Sequence, residues 1–300
     1  MKRTCLFILA AVFLGMGWLI PPAAAEQAPA LRPPAVPLVT HDPYFCIWAV
    51  RDKLTDDWPR HWTGTVHALA ALARIDGRTY RVMGPSPSQV PALTQTALEV
   101  TPTQTTYTFG EAGIELRLTF TSPLLIKDLD IMSRPVTYIT ASFHATDGRS
   151  HAVSFLFEAP AALAVNTADQ KVVWGRHLVP GLKVLSIGSK DQPVLEKKGD
   201  NLRIDWGRLY LAAPGTDVSA SAMAGAGLCR EMFAKDGRLP EADDLEMPRP
   251  AGDDVAAALV LDFGAVGETA AARHLMLAYD DGFSIEYFYR KLRPYWRRNG

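Results

Sequence analysis

Cysteine is scarce in this chain, with three in 300 residues, at positions 5, 46 and 229. No paired C-x-x-C and no framework spacing occurs, so the sequence writes neither a disulfide-stapled scaffold nor a thiolate zinc site. A G-x-S-x-G elbow, a phosphate-cradling glycine loop and an H-E-x-x-H helix are also missing, which removes the usual signatures of serine hydrolases, nucleotide enzymes and zinc peptidases. Charge of one sign is lacking as well: 31 Lys and Arg face 32 Asp and Glu, for a formal net charge of −1. Nucleic acid is therefore excluded as an expected partner, because phosphate binding needs clustered Lys and Arg. Past residue 25 no stretch is long and apolar enough to cross a bilayer. A hydrophobic content of 48% with balanced charge excludes general disorder.

What is present begins with an export signal. Lys2 and Arg3 form a short basic region, Leu6 to Ile20 an apolar core, and Ala23-Ala24-Ala25 a small-residue cleavage site. The expectation is a signal peptide over 1–25 and a secreted or periplasmic mature chain with no membrane association. Its removal takes the net charge from −1 to −3 and takes Cys5 with it. An oxidising compartment permits Cys46 and Cys229 to pair. They are far apart in sequence, so two small buried thiols are the expected state and a Cys46–Cys229 disulfide the alternative.

The remainder reads as β-structure. Residues 26–40 form a Pro- and Ala-rich lead-in, and 41–84 an aromatic-rich segment with a first hairpin at Asp76-Gly77. Residues 85–282 read as the body of a sandwich. Ile114 to Thr121 alternates strictly, apolar then polar, which puts one face on a core. Val136–Ala145, a turn at Asp147-Gly148 and Ala152–Phe157 read as another hairpin, with further strands near 171–174, 182–187, 193–197, 201–206 and 208–213. Gly227–Lys235 reads as a short surface helix, Val255–Phe263 as a strand, and Ala271–Tyr279 as a strand or helix. From Ser284, apolar residues at Ile285, Phe288, Leu292 and Tyr295 have helical spacing, so 283–300 is expected to be an amphipathic helix carrying Tyr287, Phe288, Tyr295 and Trp296 to a partner. The fold class is a mostly β, large antiparallel β-sandwich with a C-terminal amphipathic helix.

Residues 41–64 are the densest chemistry in the chain. Trp48, Trp58 and Trp62 lie among His41, Asp42, Arg51, Asp56, Asp57, Arg60 and His61. Indoles beside ionisable groups suit a concave site, where rings give contact area and polar tips fix orientation. The same residues would equally make a partly buried crossing whose polar groups satisfy one another. The seven histidines are scattered, so no metal site and no cofactor is expected. Acid–base candidates are Asp42, Asp56, Asp57, Asp280 and Asp281. Adjacent carboxylates on a strand face opposite ways, so Asp280-Asp281 reads first as a turn.

The segments at 33–64, 74–84 (RIDGRTYRVMG), 121–138 (TSPLLIKDLDIMSRPVTY) and 278–300 (AYDDGFSIEYFYRKLRPYWRRNG) resemble the N-terminal region of the glutaminase A family, exported bacterial and fungal proteins. The resemblance implies a large sandwich of the kind that precedes a helical toroid, and a family activity that hydrolyses L-glutamine to L-glutamate and ammonia. It also implies that most of the catalytic machinery lies in the toroid, which this sequence lacks. Catalytic residues are unknown, and the chain alone is expected to be inactive. His41, Asp42, Trp58, Arg60, His61 and Trp62 are expected to line a rim where the sandwich meets a substrate or its helical partner, in cis or as a separate chain. The alternatives are a stand-alone sandwich binding a sugar or small molecule through the 41–64 aromatics, and an interaction module docking a separate helical subunit.

Overall fold

The computed structural model describes residues 32–300. The signal-peptide segment 1–25 and the first part of the lead-in lie outside the described residues. Along the chain the strands are β1 (Val36–Asp42), β2 (Phe45–Ala49), β3 (Ala70–Ile75), β4 (Arg78–Met83), β5 (Gln95–Val100), β6 (Gln104–Glu111), β7 (Ile114–Thr121), β8 (Val136–Ala145) and β9 (His151–Pro160). They continue as β10 (Lys171–Val179), β11 (Leu182–Ser189), β12 (Arg208–Pro214), β13 (Val218–Gly225), β14 (Arg249–Pro250), β15 (Val255–Val266), β16 (Ala271–Asp280), β17 (Ile285–Tyr287) and β18 (Arg290–Leu292). Two short helices interrupt them, α1 (Leu129–Met132) and α2 (Ala226–Asp236). The mostly β expectation holds.

A nine-stranded sheet in the order β14-β10-β11-β12-β16-β8-β7-β6-β5 faces a five-stranded sheet in the order β13-β15-β9-β3-β4, all neighbours antiparallel. The alternation at 114–121 becomes β7, with Ile114, Leu116, Leu118 and Phe120 buried in the shared core. Antiparallel strands with one wet face read this way because the side-chain period is two. β15 breaks the rule and is buried on both faces over Val255–Leu261. Ala257, Leu259 and Leu261 join the inter-sheet core, while Ala258 and Val260 face a second cluster with Cys229 and Phe233 of α2. Register explains that cluster: Leu72 lies opposite Leu156, and Leu156 opposite Val260, making one apolar row across β3, β9 and β15 for the helix to cover. α2 ends at Gly237, whose φ of 79° suits the left-handed stop.

The hairpin at Asp76-Gly77 forms as expected and Ala271–Tyr279 is strand, not helix, but the hairpin expected at Asp147-Gly148 does not form. β8 pairs with β7 and β16 in the large sheet and β9 with β15 and β3 in the small one, so this turn carries the chain from one sheet to the other. Two further expectations are corrected. The C-terminal helix does not form: Ile285 pairs with Leu292 and Tyr287 with Arg290 in a β-hairpin, followed by a 3₁₀ turn at Tyr295–Arg297. The reason is its tip, where Phe288 and Tyr289 take φ of 46° and 61°, the pair of positive values that a two-residue hairpin turn demands. The segments 193–197 and 201–206 form no strand, although Ile204, Asp205 and Trp206 are buried. The second half of the lead-in is extended, with β1 starting at Val36. Cys46 and Cys229 are both free and buried, so the disulfide alternative is set aside and the two-thiol expectation stands.

Candidate functional site

The β1–β2 hairpin carries the chemistry. Its turn is built by Asp42, whose Oδ1 accepts from the backbone N–H groups of Tyr44 (2.7 Å) and Phe45 (3.0 Å). A short carboxylate side chain that caps its own turn is a recurrent local device. The hairpin then lies on the nine-stranded sheet. The Phe45 ring packs on Tyr279 of β16 at 4.6 Å, and His41 Nε2 is 3.2 Å from Thr137 Oγ1 of β8.

Two hollows flank this turn. The larger, about 410 Å³, is lined by Thr40–Tyr44 and by residues of the β7–β8 connection, the 204–206 segment and the chain after β16. Its aromatic walls are Tyr44, Trp206, Tyr279 and Trp296, and its carboxylates are Asp42 and Asp281. The smaller, about 360 Å³, shares Thr40–Pro43 and is closed by Cys46, Trp48 and Trp62.

Burial sets the electrostatics. It pushes the Asp42 carboxyl up to about 6, against the pull of its two backbone donors, and the charge on Asp281 adds to the rise. The Asp281 carboxyl is raised first by burial and then by Asp280, while Ser284 and Arg297 pull the other way. His41 is driven down to about 3 by burial and is neutral at any ordinary pH. Around the cavity four polar atoms are buried without a hydrogen-bond partner among the described residues: His41 Nδ1, Ser133 Oγ, Asp281 Oδ1 and Trp296 Nε1. Unsatisfied buried groups are uncommon and cost about 1–3 kcal/mol each, so four in one wall mark a place of interest.

The six expected rim residues do not form one surface. His41 and Asp42 line both hollows, and Trp62 lines the smaller one with its indole N–H donating to the Pro43 carbonyl at 2.7 Å. His61 reaches the same carbonyl through Nε2 at 3.1 Å but is itself buried, and burial lowers it to about 4. Arg60 is turned away: Nη2 meets Asp57 at 3.1 Å and Nη1 donates to the Gly64 carbonyl. An exposed pair of this kind contributes about 0–1 kcal/mol. Trp58 also points elsewhere. Arg230 lies 5.4 Å from its ring centroid, and a Cβ on Gly84 would come within 2.4 Å of the indole.

Of the expected interface aromatics, Trp296 lines the larger cavity, whereas Tyr287, Phe288 and Tyr295 stand exposed beside it. Ser133 and Trp206 belong to the cavity although the sequence did not single them out, and so does Asp281, which it named among the acid–base candidates and then read first as part of a turn. Its partner Asp42 lies 239 positions earlier, and only the packing of β1–β2 on β16 joins them. Among the described residues no group of three or more His, Cys, Asp or Glu side chains could hold a metal ion, and no helix is long and apolar enough to cross a membrane.

Two family models match the chain: a domain of unknown function, DUF5127, over residues 103–300, and another, DUF4964, over residues 21–95. The chain is 28% identical over 232 residues to Glutaminase A from Aspergillus oryzae (strain ATCC 42149 / RIB 40), covering 74% of this chain and 33% of the relative. It is 21% identical over 254 residues to Probable glutaminase/05536 from Arthroderma benhamiae, covering 76% of this chain and 28% of the relative. The chain thus spans about a third of the length of the curated relatives it matches. Among solved structures, heparan sulfate lyase HepC from Pedobacter heparinus superposes with a TM-score of 0.32 at 9% identity, over 66% of this chain and 23% of that one. The resemblance to the glutaminase A family drawn from the four sequence segments is borne out by the two glutaminases.

Proposed function

The chain belongs to the DUF5127 family and is a glutaminase-related β-sandwich region, and we propose that it is the non-catalytic, exported part of an amidohydrolase that packs against a helical catalytic domain. The observation that carries this reading is an apolar surface around the larger cavity. Ile126 is 80% exposed, Phe288 78% and Tyr289 95%, with Leu125, Ile285 and Tyr287 also open to solvent. The two segments are held side by side, since Arg298 pairs with Asp130 and Leu124 and Ile285 line one cavity. Contiguous exposed apolar surface of this sort marks an interaction site. Amide hydrolysis needs a positioned nucleophile or activated water and donors for the developing oxyanion. His41, the one imidazole in the cavity wall, is held neutral and carries no acidic neighbour at hydrogen-bond distance.

The test has two parts. Purified residues 26–300 should release no ammonia from L-glutamine, and the sequence downstream of Gly300 in the genome should encode several hundred helical residues. Joined to that segment, Tyr287–Tyr289 should lose hydrogen exchange and surface labelling. Glutamine turnover by the isolated chain, abolished by a substitution within it, refutes the non-catalytic reading. Unchanged exposure of the hairpin in the longer protein refutes the docking.

A second reading rests on Trp62. Its ring is 54% exposed over the smaller hollow, beside Trp48, with its N–H pinned to Pro43. A pinned, open indole suits the apolar face of a sugar ring. Glycan-array binding that Trp62→Ala abolishes would favour it over docking, and a blank array would remove it.

A further inference from the structure

The larger cavity holds a charge imbalance that the protein does not resolve. Asp42 and Asp281 both line it, and among the described residues neither is within ion-pair distance of a cation. The neighbouring acids are neutralised differently. Asp205 is held by Lys197 at 2.9 Å and by the Gln170 amide at 3.0 Å, and Asp280 by Arg297 at 3.4 Å. Arg134 also lines the cavity, yet its charge acts on Asp130 and not on either cavity carboxylate. Asp281 feels Ser284 and the more distant charge of Arg297, neither of which is an ion pair, and its own charge repels that of Asp42.

The walls are as specific as the floor. Tyr44 and Trp206 meet edge-on at 5.7 Å, and Tyr279 and Trp296 complete the enclosure. Tyr279 spends its hydroxyl on the Trp206 carbonyl at 2.8 Å, so that ring presents carbon to its surroundings. Negative charge enclosed by aromatic faces is complementary to an organic cation, which gains both the Coulomb attraction and the ring quadrupoles. A volume of about 410 Å³ admits a ligand of several heavy atoms beyond the charged head. Ser133 Oγ and Asp281 Oδ1 each lack a partner and can take up ammonium or hydroxyl hydrogens with a small side-chain rotation.

We propose that this cavity is a binding site for a small organic molecule bearing a primary ammonium group, held between Asp42 and Asp281 and enclosed by Tyr44, Trp206 and Trp296. The assignment stands on the cavity alone and does not depend on whether a helical partner docks outside it. The ammonium lies between the two carboxylates, and the alkyl portion rests on the indoles. Asp42 keeps its turn through Oδ1, which leaves its second oxygen for the ligand.

The probe is n-butylammonium chloride, titrated calorimetrically into the purified full chain, with 1-butanol as the uncharged match and potassium chloride as the inorganic cation. Butylammonium should bind at least about tenfold more tightly than either, a difference a single desolvated charge interaction readily supplies. Affinity should weaken from pH 7.5 to pH 5 as the carboxylates take up protons. Asp281→Asn should lower it about tenfold or more, and Asp42→Asn likewise, since the amide oxygen still serves the Tyr44 and Phe45 N–H groups and preserves the turn. Trp296→Leu, read beside a circular dichroism melt, covers the case in which an acid variant fails to fold. No heat with butylammonium at tens of millimolar, equal binding of potassium or butanol, or undiminished binding by folded Asp281→Asn would each overturn the assignment. Alaninamide and Nα-acetyl-lysine amide then separate an α-ammonium from a lysine side chain, and tighter binding of either over butylammonium supports the site.

Discussion

Removing one half of the buried Glu158–Arg230 pair should destabilise the sandwich far more than removing both. Glu158 on β9 is fully buried, and Arg230 on α2, 7% exposed, reaches it from above. Each has a further polar atom without a partner, Glu158 Oε2 and Arg230 Nε. Burial pushes the Glu158 carboxyl up to about 8 even though the guanidinium opposes the shift. Arg230→Met leaves a buried acid with no donor, at a cost of about 3–5 kcal/mol. Glu158→Leu strands a guanidinium under α2 and should cost about the same. In a domain of this size that lowers the melting temperature by roughly 6–20 °C. The double variant removes both desolvation penalties and should match the parent within about 2 kcal/mol or exceed it, giving a coupling energy of several kcal/mol. Urea unfolding followed by circular dichroism and tryptophan emission reads all four corners of the cycle. The sign of the pH dependence gives a second check. A carboxyl raised from 4.5 to about 8 binds its proton more tightly when folded, so its stabilising contribution is present below pH 4.5 and is lost as pH rises through 8. Arg230→Met should steepen that loss. Single variants that each cost less than about 1 kcal/mol would refute the reasoning.

Three further outcomes are expected. His151 bridges Asp76 at 2.6 Å and Asp147 at 3.1 Å, which raises its pKa above 6.5 and lowers theirs below 3.8; the melting temperature should fall as pH rises past 6.5 and as it drops below 3.8, and His151→Phe should flatten both limbs in a scan from pH 3 to 9. Gly207 has a φ of +79°, and a Cβ there would lie 2.3 Å from the Asp280 carbonyl oxygen, so Gly207→Ala should cost roughly 2 kcal/mol or more in urea unfolding. Tyr279→Phe removes the buried hydrogen bond to the Trp206 carbonyl and should cost about 1–2 kcal/mol, with weaker butylammonium binding if Trp206 then shifts.

Much of the sandwich could be read from short-range pattern. The alternation at 114–121 and the turn dipeptide at 76–77 are decided by residues that touch within one hairpin, and they formed as read. Asp147-Gly148 has the same local chemistry and yet joins two sheets, a difference that only the pairing of β8 and β9 with other strands decides. The C-terminal segment shows where that method stops. Ile285, Phe288, Leu292 and Tyr295 fit a helical stripe, but the outcome turned on Phe288 and Tyr289 accepting positive φ, which no spacing rule detects. β15 was legible as a strand from its apolar run alone, but a doubly buried run has no period of two, so its second buried face, covered by α2, was not. For the site, His41 and Asp42 were legible because they sit in an unusual local composition. Trp58 and Arg60 sit in the same composition and yet face α2 and Asp57, because a run of irregular backbone points successive side chains in unrelated directions. Asp281 was named as an acid–base candidate, but its place beside Asp42 was beyond local reading, since it depends on the β1–β2 hairpin packing on β16 from the other end of the chain.

The two unpaired cysteines sit in different layers, Cys46 in the hairpin on the large sheet and Cys229 in the helix over the small one. Each is buried, and burial pushes the Cys229 thiol up to about 12. A thiol reagent can therefore reach Cys229 only when α2 lifts, whereas Cys46, in the wall of the smaller hollow, needs only local motion of its hairpin. Modification rates at the two positions, compared under native conditions, would tell whether α2 lifts off as a unit or the whole barrier to unfolding must first be crossed. With Cys46 and Cys229 unpaired, no disulfide ties the hairpin to α2, and each is free to breathe without the other.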